Sequence, residues 1–163
     1  MSTSYQSVNV LAVANMSRPL YESSDDLKNE QEVAVLMQSL WDCKFTKMPI
    51  KYHLDYVMHR GYKAVGFCEV KTRNYTMESI DGMGGYLMSI GKWSSAKQLN
   101  DVSGLPFILV VRALDGIYYA VFKELHKPPI EVKGRKDRND WQDIEPCVVL
   151  ETKLFKKLEK ETV

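Results

Sequence analysis

The sequence lacks the features that mark membrane, secreted and disulfide-bonded proteins. No stretch approaches the roughly 18 consecutive apolar residues of a membrane span, and the first residues hold no basic segment followed by an apolar one. The three cysteines, Cys43, Cys68 and Cys147, lie far apart and form no C-x-x-C pair, which argues against a disulfide framework and a zinc knuckle. We therefore expect reduced thiols, no membrane partner and a cytoplasmic protein.

The sequence also has no excess of charge of one sign and few histidines. The chain has 22 Lys and Arg against 21 Asp and Glu, a formal net charge of +1. This balance excludes a uniformly basic, histone-like protein but is compatible with a local basic groove, because net charge does not describe how charge is distributed. Three histidines, with no H-E-x-x-H motif, do not indicate a zinc enzyme.

Enough apolar residues are present for a real core. The chain has 163 residues, of which 45% are hydrophobic, and this length suits one domain. We predict a single domain over residues 25–163. It is preceded by an N-terminal extension at 1–24, whose composition is typical of a flexible terminus or a short edge element.

Apolar periodicity and turn residues predict alternating helices and strands. The predicted helices are 27–41, 86–100 and a last turn or two at 154–160. The predicted strands are 51–60, 63–71, 107–112, 117–122 and 147–150. Gly-containing turns join these strands into two hairpins. Residues 81–85 are expected to form a flexible break, and residues 127–140 a polar surface loop.

The first hairpin gathers three charged side chains. Glu69 and Lys71 are two residues apart near the end of its second strand, so they project from the same face. Asp55, near the middle of the first strand, reaches Glu69 if the register agrees. Carboxylates and the Val70 carbonyl are oxygen ligands of the kind that Mg²⁺ or Mn²⁺ takes. Such an ion polarises a phosphoryl oxygen and activates water, while Lys71 orients that water and stabilises developing charge.

These residues resemble the motif of the PD-(D/E)xK nuclease superfamily. Asp55 and Glu69-Val70-Lys71 are separated by 13 residues, and Leu54 replaces the motif's proline. The resemblance implies an α/β, restriction-endonuclease-like mixed β-sheet flanked by helices, with an αβββαβ core and residues 45–48 as its first strand. More narrowly, the stretches 41–43, 52–55 and 91–93 resemble a small phage-borne nuclease.

The resemblance also implies roles for individual residues. Asp55, Glu69 and Lys71 would be catalytic, with Asp55, Glu69 and Val70 holding the metal ion. Many superfamily members carry a further acid on the first helix. Glu30 is preferred to Glu32, because Glu30 shares the face that should pack on the sheet.

Contacts with nucleic acid are expected from the second helix and from the end of the motif strand. The candidates are Arg73, Lys92, Lys97 and Gln98. The expected partner is DNA, with RNA not excluded, and a homodimer would be needed to cut both strands symmetrically. If the protein is phage-encoded, its location is the host cytoplasm.

Two alternative functions, from other classes of protein, stay open. One is an inactive nuclease-fold protein that binds nucleic acid or a protein partner. The other is a plain interaction module whose acids form salt bridges, which gains support if Asp55, Glu69 and Lys71 do not converge.

Overall fold

The computed structural model describes residues 23–49, 53–134 and 144–159. Residues 1–22 of the expected extension lie outside this part of the chain. The division into an extension and one domain stays a prediction.

The first helix, α1, spans Ser24–Trp41 and confirms the helix predicted at 27–41. It begins with a capping box, in which Ser23 Oγ accepts a hydrogen bond from the Asp26 N–H and the Asp26 carboxylate accepts one from the Ser23 N–H. Each bond satisfies a main-chain donor that a helix start leaves without a partner. The buried residues of α1 are Glu30, Val33, Ala34 and Met37.

Two sheets follow α1. The strands are β1 Lys44–Lys47, β2 Tyr56–Arg60, β3 Lys63–Thr72, β4 Tyr86–Ser89, β5 Phe107–Ala113, β6 Gly116–Phe122, β7 Ile130–Gly134, β8 Ile144–Leu150 and β9 Lys156–Lys157. The further helices are α2 Met77–Gly82 and α3 Ile90–Ser103, with a 3₁₀ turn at Thr152–Leu154. Six strands form a mixed sheet in the order β1-β2-β3-β5-β6-β9, and three form an antiparallel sheet in the order β4-β8-β7. In the six-stranded sheet, β3 and β5 are the parallel pair.

The two faces of the six-stranded sheet are covered by different elements. Alternate residues of β3 point to opposite faces. Cys68 and Val70 pack in the cluster that contains the buried residues of α1. Phe67 packs in the other cluster, together with Trp93 of α3 and Val148 of the three-stranded sheet. Glu69 and Lys71, which share the parity of Phe67, therefore project toward α3 and the smaller sheet.

The order α1, β1, β2, β3, α3, β5 confirms the restriction-endonuclease-like αβββαβ core. Both predicted hairpins, β2–β3 and β5–β6, are also present. None of the helices in the described ranges is long and apolar enough to cross a membrane.

The start of the second predicted helix was wrong. Residues 86–89 form β4, and α3 begins only at Ile90. β4 pairs with β8, and its residues Tyr86 and Met88 are buried. A short apolar run suits either a helix or a strand, and here the pairing with a strand distant in the sequence selects the strand conformation. The break predicted at 81–85 is in part helical, because α2 spans Met77–Gly82.

The C-terminal elements also differ from the prediction. The loop predicted at 127–140 contains β7, an exposed edge strand that pairs with β8. Its alternating Ile and Val residues fit a strand, but the charges around them suggested a loop. Residues 135–140 of that prediction lie outside the described ranges. Strand β8 begins at residue 144, before the predicted 147. Instead of the helix predicted at 154–160, whose last residue lies outside the described ranges, a 3₁₀ turn leads to β9, which pairs with β6.

Candidate active site

Strand β3 extends past the start of β2, and this overhang creates the site. Pairing with β2 ends at Tyr56↔Cys68, whereas pairing with β5 continues to Thr72↔Arg112. Asp55 immediately precedes β2, so the prediction that it lies in mid-strand was wrong. Its Oδ2 accepts a hydrogen bond of 2.8 Å from the Val70 N–H.

The Val70 carbonyl belongs to the same open edge. The N–H and C=O groups of one strand residue point to the same side. Because the Val70 N–H points at Asp55, its carbonyl also faces the side that β2 leaves open. Asp55 and the Val70 carbonyl therefore lie at the same end of the sheet, as the sequence predicts.

Glu69 is the charged group at the centre of the site. Its side chain is about 1% exposed, and its Oε1 lies 2.9 Å from Lys71 Nζ and 2.5 Å from Lys92 Nζ. Its Oε2 has no hydrogen-bond partner among the residues that the structure describes. Burial raises the pKa of Glu69, although the Lys71 and Lys92 ammoniums act in the opposite direction. A buried carboxylate oxygen without a partner is costly, which indicates that this position is built to bind something.

Lys71 is held in its charged form. Burial by itself would lower the pKa of this ammonium, but the Glu69 and Asp55 carboxylates outweigh burial and raise the pKa. Lys71 therefore carries its proton at neutral pH and is a cation of the site rather than a free base.

Lys92 connects α3 to the segment before β2. It lies in the first turn of α3, and its Nζ also donates a hydrogen bond of 2.9 Å to the His53 carbonyl. His53 has a φ of 58°, in the left-handed region. One ammonium thus links the Glu69 carboxylate to the backbone two residues before Asp55.

Glu30 reaches the site through a lysine that the sequence analysis did not single out. Lys47, the last residue of β1, forms an ion pair with Glu30 Oε1. The same Nζ lies 3.9 Å from Asp55 Oδ1 and 5.1 Å from the centre of the Tyr56 ring. Spacing gives no signal for Lys47, because its position follows from the β1–β2 register, in which Lys47 pairs with Tyr56.

Burial and a hydrogen bond with Glu30 raise the pKa of Tyr56, so the phenol stays protonated and can donate to that carboxylate. The alternative acid, Glu32, is half exposed and lies 3.2 Å from Arg112. Of the two candidate acids, Glu30 and Glu32, Glu30 is therefore the one whose contacts lead to the site.

The residues predicted to contact nucleic acid fall into two groups, one beside the acids and one on another face of α3. Arg73 donates a hydrogen bond of 3.1 Å to the Tyr86 hydroxyl. Burial raises the pKa of Tyr86, although the nearby Arg73 and Lys71 charges act in the opposite direction. Lys97 instead pairs with Asp101 along α3 at 2.7 Å. Gln98 is exposed. Neighbouring helix residues lie about 100° apart, so Lys97 and Gln98 do not share the face of Lys92.

The donor set suits a hard divalent cation in part. Within the described ranges, no three Asp, Glu, His or Cys side chains are grouped closely enough to enclose a metal ion. Asp55, Glu69 and the Val70 carbonyl nevertheless offer oxygen atoms, and one buried Glu69 oxygen has no partner among the residues described. Mg²⁺ commonly takes one or two carboxylates and completes its coordination with water and substrate phosphate. These residues therefore fit a magnesium-type site of low protein ligand number.

A three-strand meander between two helices, with Asp beside the start of one strand and Glu-x-Lys at the end of the next, defines a PD-(D/E)xK nuclease fold. A family described as "Phage putative PDDEXK endonuclease" matches residues 16–158. The match spans most of the chain, and the chain belongs to this family. No curated protein matches the sequence.

Proposed function

We propose that the protein is a metal-dependent endonuclease that hydrolyses phosphodiester bonds in DNA. The observation that carries the proposal is the buried Glu69 carboxylate beside Asp55 and Lys71, one oxygen of which has no partner in the part of the chain that the structure describes. Membership of a phage endonuclease family supports a nucleic-acid substrate and, with it, work in the host cytoplasm.

In this proposal Asp55, Glu69 and the Val70 carbonyl hold Mg²⁺ or Mn²⁺. When bound, the ion polarises a phosphoryl oxygen and lowers the pKa of a bound water. The Val70 N–H fixes the orientation of the Asp55 carboxylate through the 2.8 Å hydrogen bond. A carboxylate oxygen has two lone pairs, so this bond does not prevent Asp55 from acting as a ligand.

Lys71 provides positive charge next to the reacting phosphate. Its raised pKa keeps the ammonium protonated near the two carboxylates, and fixed charge in a partly buried site stabilises negative charge that develops during the reaction. A role as a general base would require those carboxylates to be neutralised first.

Further contacts place the substrate backbone. Lys92, about a quarter exposed, and Arg73, held by Tyr86, are proposed to bind phosphates next to the scissile one. Lys97 and Gln98 would bind phosphates farther from the acids. Glu30 assists by holding Lys47, and a homodimer would allow both strands to be cut.

The test is a cleavage assay with labelled duplex DNA, single-stranded DNA and RNA, in Mg²⁺, Mn²⁺ or EDTA. We expect cleavage with either metal and none in EDTA. Glu69→Gln and Lys71→Met should each reduce the rate at least about 100-fold. Lys63→Met, at the exposed start of the same strand, is the matched control and should cleave like the wild type.

Two results would contradict the proposal. Cleavage that survives in Glu69→Gln would place the chemistry elsewhere. A folded protein that binds DNA without cutting it under any metal would favour an inactive nuclease-fold binding protein. Sedimentation with and without duplex DNA would test the homodimer in the same preparation.

A further inference from the structure

Lys47 provides a positive charge between two of the three acids at the site. The Glu30 and Asp55 side chains are both about nine-tenths buried, and the Lys47 ammonium contacts the first and lies 3.9 Å from the second. The face of the Tyr56 ring, 5.1 Å away, adds a cation–π contact. These surroundings suit a cation, and an ammonium from the chain itself occupies them.

The two halves of the site differ in how their carboxylate oxygens are used. On the Glu69 side, one oxygen is left without a partner among the described residues. On the Glu30 side, the oxygens face Lys47 and the Tyr56 hydroxyl. A divalent ion between Glu30 and Asp55 would meet the Lys47 charge at close range, where like charges repel strongly in a partly buried site.

We infer that Lys47 acts as a built-in cation that limits the site to one divalent metal ion. The single ion would be bound by Asp55, Glu69 and the Val70 carbonyl, while the Lys47 ammonium fills the position of a second ion between Glu30 and Asp55. This inference rests on the proposed function, because it presumes that the Asp55 and Glu69 side binds metal.

The test counts Mn²⁺ ions bound per protein, by equilibrium dialysis and by the electron paramagnetic resonance signal of free Mn²⁺. We expect one ion in the wild type and two in Lys47→Met, which keeps the aliphatic stem but removes the charge. Lys47→Arg should bind one ion, because it keeps the charge. Lys44→Met removes one charge from the exposed other end of β1 and should also bind one.

A double variant identifies the ligand of the added ion. Lys47→Met with Glu30→Gln should return to one ion, because the second ion loses a carboxylate. Lys47 is about half exposed, so its replacement does not open a buried cavity. Thermal unfolding by circular dichroism checks that each variant is folded, and the wild-type count tests the inference even if one variant fails to fold.

The outcomes separate this inference from the proposed function. One ion in both wild type and Lys47→Met overturns the role of Lys47 and leaves the proposed metal site standing. Two ions in the wild type do the same. No Mn²⁺ bound to the wild type overturns the proposed metal site, and the inference about Lys47 falls with it.

Discussion

Replacing Glu69 with Gln should change how stability depends on pH in the metal-free protein. Burial raises the pKa of Glu69 above its ordinary value of 4.5, so the folded state binds the proton more tightly than the unfolded state does. The free energy of unfolding of the wild type should therefore fall, relative to Glu69→Gln, as the pH rises above about 4.5. The fall ends once the pH exceeds the pKa of Glu69 in the folded protein.

The size of this effect follows from a single proton. Between the two pKa values, the difference in stability changes by at most about 1.4 kcal/mol per pH unit. Comparing the two proteins removes the titration of distant groups, which both share. Lys71 and Lys92 lose their shared partner in the variant, so the absolute difference at one pH is less informative than its slope.

The assay is urea unfolding of both proteins in EDTA from pH 4 to 8, with Glu78→Gln as a control for losing one negative charge from an exposed helix position. A repeat in saturating Mn²⁺ should remove or reverse the slope, because a bound cation favours the carboxylate form. A difference in stability that is constant across this pH range in EDTA would refute the reasoning. An identical slope with Mn²⁺ would argue that Glu69 is not a ligand.

Two further predictions concern the elements that support the site. Gly85 has a φ of +119°, and a Cβ there would lie 2.7 Å from the Leu150 carbonyl oxygen. Gly85→Ala should therefore destabilise the protein by about 1–3 kcal/mol in urea unfolding. A variant as stable as the wild type would contradict this contact. Asp115 accepts hydrogen bonds from the Met77 N–H and the Tyr118 hydroxyl, and the Tyr118 bond is the main reason why the pKa of Asp115 is lowered. At pH values above the ordinary carboxyl pKa, Asp115→Ala should lower the free energy of unfolding by about 1 kcal/mol. The difference between the two proteins should shrink as the pH falls through the lowered pKa of Asp115. A difference that grows toward low pH would show that the hydrogen bonds do not favour the charged form.

The parts of the fold that the sequence predicts well have local signals. The capping box at Ser23 marks the start of α1, and the Gly-containing turns mark both hairpins. Strand β4 has no such signal. Its four residues run directly into α3, and their strand form depends on a register in which Tyr86 pairs with Leu150, more than 60 residues away.

The same distinction applies to the site. Glu69 and Lys71 are two residues apart on one strand, and Asp55 immediately precedes the strand that pairs with it, so spacing and turn chemistry bring the three together. Lys47 depends on the β1–β2 register, for which the sequence has only weak signals. Lys97 points away because the buried positions of α3 fix the rotation of the helix about its axis.

The short chain between β1 and β2 is closed at its base. The Met48 N–H donates a 2.7 Å hydrogen bond to the Asp55 carbonyl, while the Asp55 side chain is held by the Val70 N–H. Asp55 is thus fixed from two directions by main-chain groups that lie outside residues 49–54. That connection can therefore change in length or composition while Asp55, the proposed metal ligand, keeps its place.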